Sequence, residues 1–362
     1  MKWLCLGAGA IGTYIGGSLA LSGQEVVFVE QPGAAAELRQ RGLRLDLRAD
    51  RRRTHAGVFE VREGTFSCCD SVPEALEKGR YHAAIYALKS FDTASAAQAM
   101  RPYAQDMPPI LCFSNGVENE ATLAAVLGEE RVIAATVTSA VGRLGVGDVV
   151  LERLRGVGVH AAGPLTNAAA RCLRAAYLNP RLYVSATAMK WSKMFTNLIA
   201  NPTSALLDMT AAEVLHDRRL YALEIGVLRE CLAVMRAREI PVVDLPGTPV
   251  RALALAVWLP KWLSRAILPR AAGGGRGAKM PSFQIDLHSG RGQSEVEYLH
   301  GAVARAGQAE GVPTPISAFL TTLLMAATRG DIPREEFARQ PEKLLLAFQE
   351  YARQNPTRPK PL

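Results

Sequence analysis

A glycine turn at the head of the chain constrains its fold more than any other feature. Trp3-Leu4-Cys5-Leu6 is a short apolar run that enters Gly7-Ala8-Gly9-Ala10-Ile11-Gly12. A stretch of helical character follows from Thr13 to Ser22, and a second apolar run, Val26-Val27-Phe28-Val29, closes on Glu30. Strand, glycine turn, helix, strand and acid, in that order, form the full context of a dinucleotide-binding βαβ unit, which a stray GxGxxG lacks. Gly7 permits the tight turn, Gly9 lets backbone approach a pyrophosphate, and Gly12 lets helix and strand pack closely. The helix N-terminus then offers N–H groups and partial positive charge to the phosphates.

At 362 residues the chain is long enough for two domains with cores of their own. The first apolar segment is only a strand long, so it does not read as a signal peptide. The most apolar later segment, Ala252 to Leu259, is far short of a membrane span. The cysteines (Cys5, Cys68, Cys69, Cys112, Cys172, Cys231) lack the paired spacing of zinc ligands. They read as reduced, mostly buried thiols of a cytoplasmic protein without a metal, with Cys68-Cys69 in a loop or at an edge. Net charge is +8, with a local run at Arg48, Arg51, Arg52 and Arg53. No nucleic-acid-binding module accompanies that run, which reads as a solvated loop whose mild field attracts anionic small molecules. Neither nucleic acid nor a membrane is an expected partner.

The first half alternates strand-like and helix-like segments, as a parallel sheet with crossover helices requires. Helices are expected over 34–41, 72–78, 95–103 and 119–127, and strands over 43–47, 58–61, 81–88, 109–113 and 132–137. Residues 141–162 read as antiparallel strands closing the domain, with Gly163-Pro164 as a turn. From about Ser185 the periodicity turns helical, over 186–200, 212–237, 293–309, 316–327 and 341–353. The expected fold class is an α/β N-terminal Rossmann-type domain with a mostly parallel sheet (1–183), then a mostly α-helical C-terminal domain (184–354) and a flexible tail (355–362). Gly273-Gly274-Gly275 marks a joint within 240–279.

Two stretches of the second half carry chemistry. In Trp191-Ser192-Lys193-Met194-Phe195-Thr196-Asn197-Leu198-Ile199-Ala200-Asn201-Pro202, the residues Lys193, Asn197 and Asn201 stand four apart and share one helical stripe. The apolar residues between them would seat the helix in a core. Such a stripe is costly unless it lines a cavity or faces solvent, and both readings stay open on spacing alone. Pro202 disfavours helical backbone at Asn201 and predicts a kink there. Further on, Ser294 and Glu297 have capping-box spacing, which would put Glu295 in the first turn of a helix. There it would be a macrodipole partner or a charge offered to a substrate.

Taken with Leu88-Lys89, Ser114-Asn115-Gly116, the Ser282-x-x-x-Asp286…Gly290-Arg291…Glu295 segment and Gly311-Val312-Pro313-Thr314-Pro315, these stretches resemble the ketopantoate reductase family (2-dehydropantoate 2-reductases) over nearly the whole chain. The resemblance implies NAD(P)H-dependent reduction of an α-keto acid, in that family the ketopantoate-to-pantoate step of pantothenate biosynthesis, in a cleft between the two domains. By motif it implies a catalytic set of Lys193 as proton donor, Asn115 near the nicotinamide ribose and Glu295 on the substrate side. Asn197, Asn201 and Ser282 would bind substrate. Gly7, Ala8, Gly9, Ala10, Ile11, Gly12, Glu30, Gln31, Lys89 and Asn115 would bind the cofactor. A homodimer through the helical domain is the candidate assembly.

The chain departs from the family pattern in three places. One residue is added between Arg291 and Glu295. Leu245 to Lys279 looks like an expansion, whose Val257 to Leu263 would pack on the helical domain, with a lid or interface as the alternatives. Family members that use NADPH usually carry an arginine just after the second strand, whereas this chain reads Glu30-Gln31-Pro32. Glu30 lies 18 residues beyond Gly12, where an acid bonds a ribose 2′-OH and repels a 2′-phosphate. The cofactor leans to NADH, with Arg39 or Arg41 as rival sources of the cation that NADPH needs. Other two-domain hydroxyacid or opine-type dehydrogenases and a non-catalytic nucleotide sensor remain as alternative functions.

Overall fold

Alternation along the first strands explains why the N-terminal sheet is buried on both faces. In the computed structural model, which describes residues 1–53, 55–260, 262–265 and 282–355, Trp3 and Cys5 point into one apolar cluster and Leu4 and Leu6 into another. The strands are β1 (Lys2–Leu6), β2 (Glu25–Val29), β3 (Leu43–Asp46), β4 (Val58–Val61), β5 (Ser67–Cys69) and β6 (Ala83–Tyr86). They continue as β7 (Ile110–Cys112), β8 (Val132–Val137), β9 (Ala140–Gly145), β10 (Asp148–Arg153), β11 (Val157–His160) and β12 (Pro180–Tyr183). Among the described residues, eight strands form one sheet in the order β12-β11-β8-β7-β6-β1-β2-β5. All its pairings are parallel except β11 against β8. Tyr14, Ile15 and Leu19 of helix Ala10–Leu21 cover one face, and Ala97, Met100 and Leu123 the other.

Three sequence expectations of this half need correction. β3 and β4 do not join the main sheet; they pair with each other and, through β10, with β9 in a second sheet of order β4-β3-β10-β9. Gly163-Pro164 is the N-cap and first residue of helix Pro164–Ala175, because proline suits the first helical turn. The arginine run is solvated only in part: Arg48, Arg51 and Arg52 are exposed, whereas Arg53 is drawn in. Arg52 and Arg53 both pair with the fully buried Asp50, Arg48 pairs with Asp46, and Arg53 also bonds the Ala176 carbonyl at 2.9 Å.

The chain divides into two compact units, one of Met1–Lys190 with Leu245–Thr248 and one of Trp191–Asp244 with Pro249–Leu362, the division falling inside helix Ala186–Leu198. The described part of the second unit is helical: Asn201–Leu207, Ala211–His216, Arg218–Ala237, Val250–Ala256, Ser282–His288, Val296–Glu310, Pro315–Arg329 and Pro341–Gln354. The span expected as one helix over 212–237 is two, because Asp217 is extended and its carboxylate caps the second by accepting the Arg219 and Leu220 N–H groups. The apolar run after Val250 does not pack wholly on the helices. Val257 is buried, but Leu255, Trp258 and Trp262 are 72, 61 and 76% exposed. The glycine joint at 273–275 and the tail from 356 lie outside the described residues. Among the described residues, no helix is long and apolar enough to cross a membrane.

Candidate active site

The glycine turn is built as a phosphate cradle. Gly7 has φ +95°, and a Cβ on Gly12 would lie 1.9 Å from the Gly7 carbonyl oxygen, so a side chain there would separate helix from strand. A Cβ on Gly9 would meet nothing within 4 Å, which leaves open the face a pyrophosphate must approach. Helix Ala10–Leu21 starts here with no side-chain cap. The chain therefore fits a dinucleotide: a bare helix N-terminus beside an open backbone turn.

Glu30 stands beside the cradle. Its carboxylate accepts the Ala8 N–H at 2.6 Å and the Gln31 N–H at 3.0 Å. A pocket of about 400 Å³ opens here, lined by Gly7, Glu30, Gln31, Asp70, Tyr86 and Met100, among others. The two rival cations have partners of their own. Arg39 pairs with Asp70 at 2.7 Å, and that hydrogen bond raises its pKa. Arg41 pairs with Glu37 at 2.8 Å and bonds the Val146 carbonyl. Burial first, then the Glu30 charge, pushes the Cys5 thiol well up, so it stays neutral beneath the turn.

Lys89 and Asn115 sit on the loops that leave β6 and β7. Side chains tie the two loops together. Ser114 Oγ donates to the Leu88 carbonyl at 2.7 Å, and Ser90 Oγ donates to the Asn115 carbonyl at 2.8 Å. Asn119 Nδ2 reaches both Ser90 Oγ and the Asn115 carbonyl, while its Oδ1 accepts from Thr93 at 2.8 Å. The sequence reading missed this network. Its only trace was the Ser-Asn-Gly loop followed four residues later by a second asparagine.

In the second unit, Lys193 Nζ donates to Asn197 Oδ1 at 2.8 Å on helix Ala186–Leu198. The helix does not run on to Asn201 as one stripe. Ala200 is left-handed at φ 56°, and Asn201 opens a new helix, with its Nδ2 on the Asn197 carbonyl. Buried Glu224 holds the break, accepting the Ala200 N–H at 2.7 Å and the Thr203 hydroxyl at 2.5 Å. Pro202 announced a kink; nothing near it announced the carboxylate that fixes it.

Glu295 is also buried, at the start of helix Val296–Glu310, with its N–H on Asp286 Oδ2 at 3.1 Å. The capping box is half made: Ser294 Oγ accepts the Val296 N–H at 3.3 Å, one residue short of Glu297. Asp286 lies on helix Ser282–His288, whose Phe283 and Leu287 are buried. The Ser282 side chain lies outside the described residues. Among the described residues, no group of three or more His, Cys, Asp or Glu side chains is placed to hold a metal ion.

Comparison with known proteins agrees with this arrangement. Residues 3–163 match the family model "Ketopantoate reductase PanE/ApbA", and residues 185–328 match its C-terminal counterpart. The chain belongs to the ketopantoate reductase family. It is 26% identical to a 2-dehydropantoate 2-reductase of Halobacterium salinarum, over 91% of this chain and 99% of that one. A solved PanE/ApbA family ketopantoate reductase from Ralstonia eutropha JMP134 superposes with a TM-score of 0.74 at 27% identity, covering 91% of this chain and 99% of that one. D-mandelate dehydrogenase, solved with NADH and anilino(oxo)acetate, shares the fold with a TM-score of 0.72 at 21% identity and the same coverage. Family membership makes this chain an NAD(P)-dependent oxidoreductase acting on CH–OH groups.

Proposed function

We propose that this chain reduces a 2-keto acid to the 2-hydroxy acid with NADH, and that Lys193 is its proton donor. When bound, the reduced nicotinamide supplies the hydride. Gly7 to Gly12 hold the pyrophosphate, Glu30 the adenosine ribose, with Gln31 beside it, and Lys89 and Asn115 the nicotinamide side. Lys193 bonds the keto oxygen and gives it a proton as negative charge develops there, where a fixed cation stabilises most. Asn197 and Asn201 orient the acid, and Glu295, with Ser282, closes on its polar end. The observation that carries this reading is the Lys193–Asn197 bond at 2.8 Å beside the helix break at Ala200. Asn197 lies one turn from each of Lys193 and Asn201, accepting the ammonium at its Oδ1 and the Asn201 amide at its carbonyl.

Relatives named as 2-dehydropantoate 2-reductases make ketopantoate the first acid to try, and with it a place in pantothenate biosynthesis in the cytoplasm. The mandelate dehydrogenase that shares the fold makes an aryl 2-keto acid the second. NADH oxidation against a panel of branched, straight and aryl 2-keto acids tests the activity. Lys193→Ala should then lower kcat by roughly 10²- to 10⁴-fold, with NADH affinity little changed. A loss under about tenfold removes Lys193 from the proton-donor role.

A further inference from the structure

A lysine the proposed chemistry does not use is buried in the first unit. Lys190 is only 4% exposed, and an ammonium is not left in a protein interior without partners. Its Nζ lies 2.6 Å from the Ser114 carbonyl oxygen, 3.3 Å from that of Ala135 and 2.7 Å from Glu120 Oε1. The ammonium thus donates to two carbonyl oxygens and pairs with the Glu120 carboxylate. Two of the three oxygens belong to the loop and helix that follow β7, and the third to β8. Burial, with Glu120 beside it, pushes the neighbouring Cys112 thiol up to about 12, so the pair shares its site with a neutral group.

Stability alone does not account for this arrangement. A buried ion pair can often be replaced by apolar side chains of similar volume at little cost. What an apolar residue cannot do is hold a carbonyl. Ser114 O is held by Lys190, and Asn115 O by Ser90 and Asn119. Both peptide oxygens that bracket Asn115 are therefore fixed, and Gly116 turns the chain away at φ +88°. We infer that Lys190 is a positioning residue whose ammonium, through the Ser114 carbonyl, sets the backbone from which Asn115 addresses the nicotinamide half of the cofactor. This rests on the Asn115 assignment proposed above.

Lys190→Met alone would strand the Glu120 charge, so the test uses Lys190→Met with Glu120→Gln, and Glu120→Gln as its control. NADH and ADP affinities are compared by titration, since ADP lacks both the nicotinamide and the ribose that carries it. A hydrogen bond made by a charged group is roughly twice as strong as a neutral one. NADH affinity of the double variant should therefore fall about tenfold or more, with ADP affinity within about twofold of wild type. Lys190→Arg, which keeps donors for the carbonyl, should recover part of the loss. Equal weakening of both ligands, or wild-type NADH affinity in a folded double variant, overturns the inference. Asn115→Ala separates the two claims. If it splits NADH from ADP and the double variant does not, only the Lys190 role falls. If it splits nothing, the Asn115 assignment falls and takes this inference with it.

Discussion

The proposed preference for NADH rests on the charge of one residue, Glu30. Its carboxylate is anchored on the Ala8 and Gln31 N–H groups, so it cannot turn away without giving up two hydrogen bonds. Asp70 adds a second carboxylate to the same pocket and engages Arg39. A 2′-phosphate about 4 Å from Glu30 would be repelled by roughly 4 kcal/mol at an effective dielectric of 20, before screening. A third of that already corresponds to about tenfold in kcat/KM. NADH should therefore be preferred over NADPH in steady-state kinetics, and Glu30→Ala with Gln31→Arg should reverse the order. A wild-type preference for NADPH would overturn this and favour Arg39 or Arg41 as the cation that meets the phosphate. Glu30 was legible in sequence because its partners lie in the same βαβ unit. Lys190 was not, since its oxygens come from residues 55 to 76 positions earlier.

At the scale of elements, the break between helices Ala186–Leu198 and Asn201–Leu207 gives the clearest case of a local signal completed from a distance. Pro202 forbids the regular bond, but the left-handed Ala200 persists because Glu224 takes its N–H and the Thr203 hydroxyl. Glu224→Ala would leave a buried N–H without that acceptor, at a cost of about 1–3 kcal/mol. Chemical denaturation should register that loss, and KM for the keto acid should rise well beyond KM for NADH, since Asn197 and Asn201 flank the break. Unchanged KM values in a destabilised variant would make Glu224 purely structural. The capping-box pattern at Ser294 misled for the same reason that Glu224 was invisible. Ser294 Oγ accepts the N–H of Val296 rather than that of Glu297, and Asp286, on the preceding helix, takes the Glu295 N–H.

For the whole molecule, the sequence shows the elements buried on both faces and hides the pairings made across long separations. The parallel core of β1, β2, β6 and β7 was readable because each strand is a short apolar run between glycine or polar loops. The second sheet was not, since β3 meets β10 about a hundred residues later. The helical unit holds a similar long-range feature. Glu230 accepts the N–H groups of Ile316 and Ser317 and the Ser317 hydroxyl at the start of helix Pro315–Arg329. Burial outweighs those three donors and raises its pKa from 4.5 to about 7. A carboxyl whose folded pKa is raised holds its proton more tightly when folded. Its contribution to stability is therefore full below the unfolded value near 4.5 and is lost as pH rises through about 7. The loss is at most about 3 kcal/mol. Hydrogen exchange of helices Arg218–Ala237 and Pro315–Arg329 should show wild type losing protection relative to Glu230→Gln between about pH 5 and 8. The opposite slope in that difference would mean that the helix N–H groups, not burial, control Glu230. Amides of the glycine turn serve as the internal control. They should respond to NADH, by about 2.7 kcal/mol at a hundred times Kd, and not to the substitution.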